Sequence, residues 1–527
     1  MSRLLLLVIF ALWLANPVPK LPSPLGEAAG VALFLAGYVL LVGAVAIWAR
    51  RLAARLETGA VPAAQRQFNR VLTAVRWMVV LWFAAGLFGC LGWGRFVADW
   101  IAPWITLEIP HDRSDGLSVQ LALPALLVGT MPALLAWIGL LWAQFPADRA
   151  LREQSVLDQL ELDLPVHAPP RVGHYLAAGL RQQVLFIGLP ILLILLVRDL
   201  IMVGVRVAHI GIGRVSDFDD WILLPSAIIV FLVAPEVLRR VLRTRRLPDG
   251  ELRSRLERIC RRIRLRYREI LLWETQYSMG NAAVMGLLPQ MRYILISDLL
   301  LESLTDQQIE AVFAHEAGHV VHHHMAWYAA FFALMALAAV GPGAYIDSWF
   351  GSLARSWGVW RKALAGGTAA EILQSLGSLL VIALFFAMFG FISRRCERQA
   401  DVFAARMMEN NWGDTLRDEP AGAPDSRPNV GQTGAAVFAS ALHRVAVINN
   451  IPVAARSWCH GSIARRMAYL QALAGDPRMT TAFDRSMTRM YALLIAAILM
   501  CAAVAVFPPS TAAGASPRAS RTTAAGR

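Results

Sequence analysis

Apolar residues arrive along this chain in long blocks. Runs able to cross a bilayer as helices lie near 27–49, 72–94, 118–145, 183–203, 220–238, 325–346, 375–392 and 489–507. A ninth run, 4–16, is short and follows Arg3. The prolines after it, Pro17, Pro19, Pro22 and Pro24, leave no A-x-A-like end, so it reads as a retained segment. Two large polar regions remain, 239–324 and 393–488. The first predicts an arginine-rich amphipathic helix over 251–266, strands at 269–273 (EILLW), 281–286 (NAAVMG) and 293–297 (YILIS), and then a helix. The second is largely helical. It includes a Gly-, Pro- and Asp-rich loop at 412–435, expected to be mobile. The tail after Phe507 has no apolar face and is expected to be disordered. No internal repeat is visible.

This pattern divides the chain into six parts. Residues 1–238 form a multi-span membrane region and 239–324 the first half of a soluble domain. Two membrane helices occupy 325–392, and the second half of the domain occupies 393–488. A last span at 489–507 and the tail at 508–527 follow. Composition agrees, since 57% of the 527 residues are hydrophobic, too many for an ordinary soluble chain.

The net charge of +13 is then explained by loops that hold their membrane side and attract anionic lipid. Residues 49–70 carry Arg50, Arg51, Arg55, Arg66 and Arg70 against Glu57 alone, which places them in the cytoplasm. Residues 95–117 carry Asp99, Glu108, Asp112 and Asp115 and should face out. Counting on, 239–324 and 393–488 fall inside and 347–374 outside. The first of these opens with LRRVLRTRR, the most basic run of the chain. The bilayer is therefore an expected partner, in the inner (plasma) membrane of a bacterial cell. Nucleic acid is not, since no RNA- or DNA-binding motif accompanies the charge. The basic residues are almost all arginine, with lysine only at Lys20 and Lys362. The cysteines, Cys90, Cys260, Cys396, Cys459 and Cys501, are odd in number and scattered, which argues against a disulfide framework or a cysteine metal site.

Candidate chemistry is concentrated in LTDQQIEAVFAHEAGH. Thr305 and Gln308 fit a capping box, and Ile309, Val312 and Phe313 give the helix an apolar face. His315 and His319 then lie one turn apart on one side, where two imidazoles can hold one zinc ion. Glu316 stands beside them, placed to take a proton from an attacking water. Catalytic zinc needs a third ligand. A histidine six residues after the second is ruled out, because Met325 stands there. SRRCERQAD at 393–401 supplies Glu397 as a ligand. Asp401, four residues on, can accept a hydrogen bond from the outer nitrogen of a ligand histidine. A charged helix merely leaving the membrane would need no such spacing.

These motifs, in this order, resemble the M48 family of integral-membrane zinc metallopeptidases. The resemblance covers about 265–472: Asn281-Ala282, then LTDQQIEAVFAHEAGH, two spans, SRRCERQAD, and HGSIARRMAYL at 460–470. Gly461 stands where the family has proline and Met467 where it has isoleucine. The resemblance implies a multi-pass α-helical membrane protein with a cytoplasmic α+β zincin-like (gluzincin) peptidase domain. It implies one Zn2+ per chain, held by His315, His319 and Glu397, with Glu316 as general base and then proton donor. Asp401 would support a ligand, and His460 would stabilise the oxyanion. Arg466 would brace the ligand helix or bind substrate backbone, and Asn281 would sit on an edge strand where an extended peptide adds. Protein or peptide substrates follow.

Other residues carry less. His322, His323 and His324 read as a polar cap at the membrane interface. His167, His174 and His209 read as loop or interface histidines. Cys396 and Cys459 adjoin site residues, but neighbours on a helix point about 100° apart. Arg198 and Asp199 are the only hint of a polar path through the spans. The alternative is an idle zinc-binding membrane scaffold or sensor; every catalytic position is filled, which argues against it. A transporter would show recurring polar or broken spans, and few occur.

Overall fold

The computed structural model describes residues 26–56, 61–88, 91–109, 117–161, 168–207, 219–340, 367–409, 429–455 and 457–506. The short segment 4–16, the tail, His167, His209, Cys90, and most of the 347–374 and 412–435 loops lie outside them. The chain divides into two compact units. One comprises Met1–His322 with Gly390–Thr480, the other His323–Phe389 with Thr481–Arg527.

The first unit opens with apolar helices. These are α1 (Glu27–Leu56), α2 (Val61–Phe88), α3 (Ala122–Glu161), α4 (Val172–Gly179), α5 (Phe186–Val207) and α6 (Asp219–Val241). A π-helical turn, Leu180–Leu185, joins α4 to α5. Their packing core holds Phe34, Tyr38, Val79, Phe83, Trp93 and Trp137. An indole N–H has no water to meet there, so each finds a carbonyl: Trp82 donates to Phe34 O and Trp93 to Gly129 O, both at 2.9 Å.

Among the described residues five helical stretches are long and apolar enough to cross a membrane: Glu27–Leu56, Ala64–Leu87, Ala122–Gln154, Gly188–Val205 and Pro477–Val504. The chain is a multi-pass membrane protein. The acidic 95–117 segment, expected only as a loop, contains a strand. Strands β1 (Thr106–Ile109) and β2 (Leu117–Gln120) pair antiparallel.

Arg198 and Asp199 do not line a polar path. The Asp199 carboxylate accepts from Ala122 N at 3.0 Å and Leu123 N at 2.8 Å, capping α3. Arg198 Nη1 bridges Asp199 Oδ1 and Gln120 O. Orphan amides at a helix start explain the acid.

Next comes a four-stranded sheet of order β3-β4-β6-β5: β3 (Thr244–Arg246), β4 (Glu269–Trp273), β5 (Ala282–Met285) and β6 (Tyr293–Ser297). β4 and β6 run parallel, and β5 pairs antiparallel with β6 at the sheet edge. The expected strands match within a residue. β3 was not foreseen. It is a three-residue edge strand, Thr-Arg-Arg, whose two arginines meet Glu274, Asp249 and Glu269.

Helix α7 (Glu251–Arg262) buries Leu256, Ile259 and Cys260. It stops short of the predicted 266, because Leu265 N closes onto Cys260 O at 2.8 Å and Arg264 turns to a φ of 54°. Short α8 (Asp298–Ser303) is capped by Ser297, and α9 (Asp306–Val321) follows. Inside the sheet–helix layer, buried Glu310 of α9 is ion-paired to Arg255 of α7.

Helix α10 (His324–Val340) belongs to the second unit. Helix α11 (Gly367–Met408) is 42 residues long, so the expected span and the SRRCERQAD segment are one continuous helix. The rest of the first unit is α12 (Gln432–Ile448) and α13 (Ile463–Gly475). The last helix, α14 (Pro477–Val506), begins well before the apolar run. In the second unit Phe331, Phe332, Phe385 and Phe389 pack as an aromatic cluster, and Trp327 stacks on Tyr491 at 4.2 Å.

Candidate metal centre

The site starts with the cap of α9. Thr305 Oγ1 accepts from Gln308 N at 3.3 Å and Gln308 Oε1 accepts from Thr305 N at 3.2 Å. This reciprocal box satisfies two orphan amides and fixes where the helix begins. Three turns on, His315 and His319 project from one face, with their Nε2 atoms 3.4 Å apart.

The second helix is brought close by a glycine. A Cβ on Gly318 would stand 3.2 Å from Ala400 Cα and 3.1 Å from the Phe403 ring. A side chain there would press on both, so the glycine lets α11 lie close against α9. That approach carries Glu397 to the histidines: Oε2 is 3.7 Å from His315 Nε2, and Oε1 is 3.6 Å from His319 Nε2. Among the described residues these three side chains form a cluster able to hold a metal ion. Glu397 Oε2 is buried and accepts no hydrogen bond, although it faces His315. Two nitrogens and a carboxylate converging on one point are the donor set that zinc takes at an open catalytic site. The residues fit the ion.

Supporting groups surround this cluster. His315 Nδ1 lies 3.0 Å from Asp401 Oδ1. Arg466 of α13 holds the same carboxylate with Nε at 2.8 Å from Oδ2 and Nη2 at 2.5 Å from Oδ1. Its guanidinium thus braces Asp401 in this structure and lies 3.7 Å from Glu397. Phe438 of α12 stacks on the other side of His315, ring centroids 5.5 Å apart. Sequence reasoning missed Phe438, because it is one more apolar residue on an apolar helix face.

Charges are strongly perturbed here. Burial pushes the Glu316 carboxyl up to about 7. Burial raises Glu397 as well, but the hydrogen bond from His460 and the neighbouring imidazoles outweigh it and hold Glu397 well below the usual range. Asp401 is likewise raised by burial and brought below its ordinary value by Arg466 and then His315.

His460 is exposed, with Nδ1 2.9 Å from Glu397 Oε1. Gly461 has a use there. At φ 78° it exchanges two backbone hydrogen bonds with Ser457, at 2.9 and 3.0 Å. A proline could supply neither that φ nor the N–H. Asn281 is exposed and immediately precedes edge strand β5. Its neighbour Gly280 is held by Asn449 through N–H and C=O alike, at 2.9 and 2.7 Å. Cys396 is buried and Cys459 half-buried, neither of them in a disulfide. His322 meets the Phe403 ring edge-on, His323 turns the chain at φ 55°, and His324 is buried.

Parts of this chain are similar to known proteins. A CAAX prenyl protease 1 homolog of Arabidopsis thaliana is 29% identical over 164 residues, which is 31% of this chain and 38% of that protein. The match thus spans under two fifths of the relative. The crystal structure of S. mikatae Ste24p aligns over 82% of this chain and 98% of its own, at 15% identity and a TM-score of 0.34. Residues 246–418 match the sequence model of peptidase family M48. That stretch, which carries His315, His319 and Glu397, is similar to peptidase family M48.

Proposed function

We propose that this protein is a membrane-embedded zinc endopeptidase that hydrolyses peptide bonds of protein substrates, with its site facing the cytoplasm of a bacterial inner membrane. One observation carries the reading: His315, His319 and Glu397 converge from two helices, with Glu316 at their side. His315, His319 and Glu397 would hold one Zn2+. When bound, it supplies a Lewis acid that polarises the scissile carbonyl and acidifies an attacking water.

The chain's own groups do the rest. Glu316 accepts the proton of the water as it attacks and returns that proton to the leaving amine. Burial, by raising its carboxyl to about 7, makes Glu316 a base able to give the proton back. His460, beside Glu397 and open to solvent, has the reach to donate toward a developing oxyanion. Asp401 fixes the tautomer of His315 by accepting at Nδ1, and Arg466 keeps Asp401 ionised. The free edge of β5 can take an extended substrate by main-chain pairing, a mode that reads little sequence. Broad specificity follows from it, and clearance of damaged membrane proteins is a role that such specificity would serve.

The test compares the wild type with Glu316→Gln, both purified in detergent. Zinc content is measured alongside cleavage of casein, an unstructured protein. Zinc in both, with chelator-sensitive cleavage by the wild type alone, is expected. A wild type that holds no zinc after metal-replete purification would refute the reading.

A further inference from the structure

Within the first unit lies a cavity of about 450 Å³ between α2, α3, the turn after β4 and the chain following α12. It is separate from the metal cluster. Helix α12 touches His315 through Phe438 and lines the cavity through Ile448. Ten residues of helix separate these contacts, roughly 15 Å.

One face of α2 supplies a polar stripe to this cavity. Gln65, Asn69, Thr73 and Arg76 fall at i, i+4, i+8 and i+11 and all line it. They belong to a helix otherwise apolar enough to cross a membrane, Ala64–Leu87. Gln65 Nε2 donates to Asn450 O at 3.1 Å and Thr73 Oγ1 to Asn69 O at 2.7 Å. Arg76 is half-buried and makes no hydrogen bond or ion pair among the described residues. The other charged side chains on the wall, Asp148 and Arg152, pair with each other at 2.8 Å. The lining therefore keeps one uncompensated positive charge, at the depth of a membrane helix. An ionisable group so placed marks a site.

A second feature points the same way. Gln276 and Tyr277, consecutive on the opposite wall, have φ of 57° and 55°. Neither residue adopts this region readily, and strained backbone collects at binding sites. Asp298 holds the turn in place, accepting from Tyr277 N at 3.2 Å.

We propose that this cavity is a headgroup site for an anionic phospholipid. Arg76 holds the phosphate in a bidentate fashion, and the amides of Gln65 and Asn69 meet its glycerol or ester oxygens. Two walls are membrane helices, which gives a lipid access from the side. The distance from the metal cluster leaves the occupant a bystander to peptide hydrolysis. Basic pockets between membrane helices are suited to such headgroups, and a planar guanidinium fits a phosphate better than a point charge does. The inference does not depend on peptidase activity.

The test uses the full chain in neutral detergent, titrated with phosphatidylglycerol. Retained lipid is counted by native mass spectrometry and the thermal midpoint is followed. The wild type should keep one phosphatidylglycerol and gain stability from it, but not from phosphatidylcholine or inorganic phosphate. Arg76→Gln should bind it about tenfold or more weakly, with Arg76→Lys recovering part. Thr73→Glu, which puts a carboxylate one turn from Arg76, should also lose the lipid and guards against a folding defect in Arg76→Gln. Arg70→Gln, exposed on the same helix, should bind as the wild type does. Undiminished lipid retention by both Arg76→Gln and Thr73→Glu overturns the proposal. So does an equal effect of inorganic phosphate, which would assign the site to a free anion. Preferential capture of a peptide's free carboxylate, lost when that peptide is amidated, overturns it too.

Discussion

Arg466 grips both carboxylate oxygens of Asp401, and the oxygen it holds at 2.5 Å is the one facing His315 Nδ1 at 3.0 Å. A buried carboxylate is thus shared between a permanent cation and an imidazole. The arrangement keeps Asp401 ionised and places it where it can accept from His315 Nδ1, which would leave the lone pair of Nε2 for a metal.

Removing that acceptor should weaken the metal rather than the fold. Asp401→Asn is expected to lower zinc affinity about 10- to 100-fold, read by competition with a chromogenic chelator. Arg466→Lys, which cannot span both oxygens, should fall between the wild type and Asp401→Asn. Unchanged affinity in both would detach this pair from the metal.

Gly318→Ala tests the close approach of the two helices. The added methyl meets Ala400 Cα at 3.2 Å and Phe403 at 3.1 Å. Overpacking of this kind costs about 1–3 kcal/mol and should push Glu397 away from the histidines. Loss of zinc affinity at a modest drop in thermal midpoint is the expected result. A variant that binds zinc as the wild type does would show that the helices can part without cost.

The Arg255–Glu310 pair predicts an asymmetry. Glu310 is 2% exposed and Arg255 18% in their side chains. Removing one partner of a buried pair costs about 3–5 kcal/mol. Glu310→Ala should therefore destabilise strongly, and the Arg255→Met, Glu310→Leu double variant much less. Denaturant unfolding in detergent compares them.

Activity should depend on pH through Glu316. Burial sets its carboxyl to about 7, and a bound dication favours the anion and lowers that value. The base works only when ionised, so kcat/KM falls as pH drops, with a midpoint at or below about 7. A profile that rises toward acid would exclude Glu316 as the base.

Much of this was legible in the chain because the signals are local. The strands EILLW and YILIS match the structure to the residue, since continuous β-branched and leucine runs between turns leave little choice. The Thr305–Gln308 box is a three-residue pattern, and it formed. The spacing of Glu397 and Asp401 put them on one helix face without knowledge of the fold. What failed to show is tertiary. β3 is an arginine strand made possible only by the β4 edge beside it. Arg198 and Asp199 looked like a polar path until the orphan amides of α3 supplied the reason for the acid. Phe438 and the polar stripe ending at Arg76 gain meaning only from what packs opposite them.

The ring of His315 is wedged between Phe438 on its face and Asp401 at its edge. Its two side-chain torsions are thus set by neighbours on two other helices. The entropy of choosing that rotamer is lost during folding and need not be lost again when an ion arrives. A cluster built this way acts as a rigid template. It selects an ion by the spacing of its donors and resists any that would ask them to move.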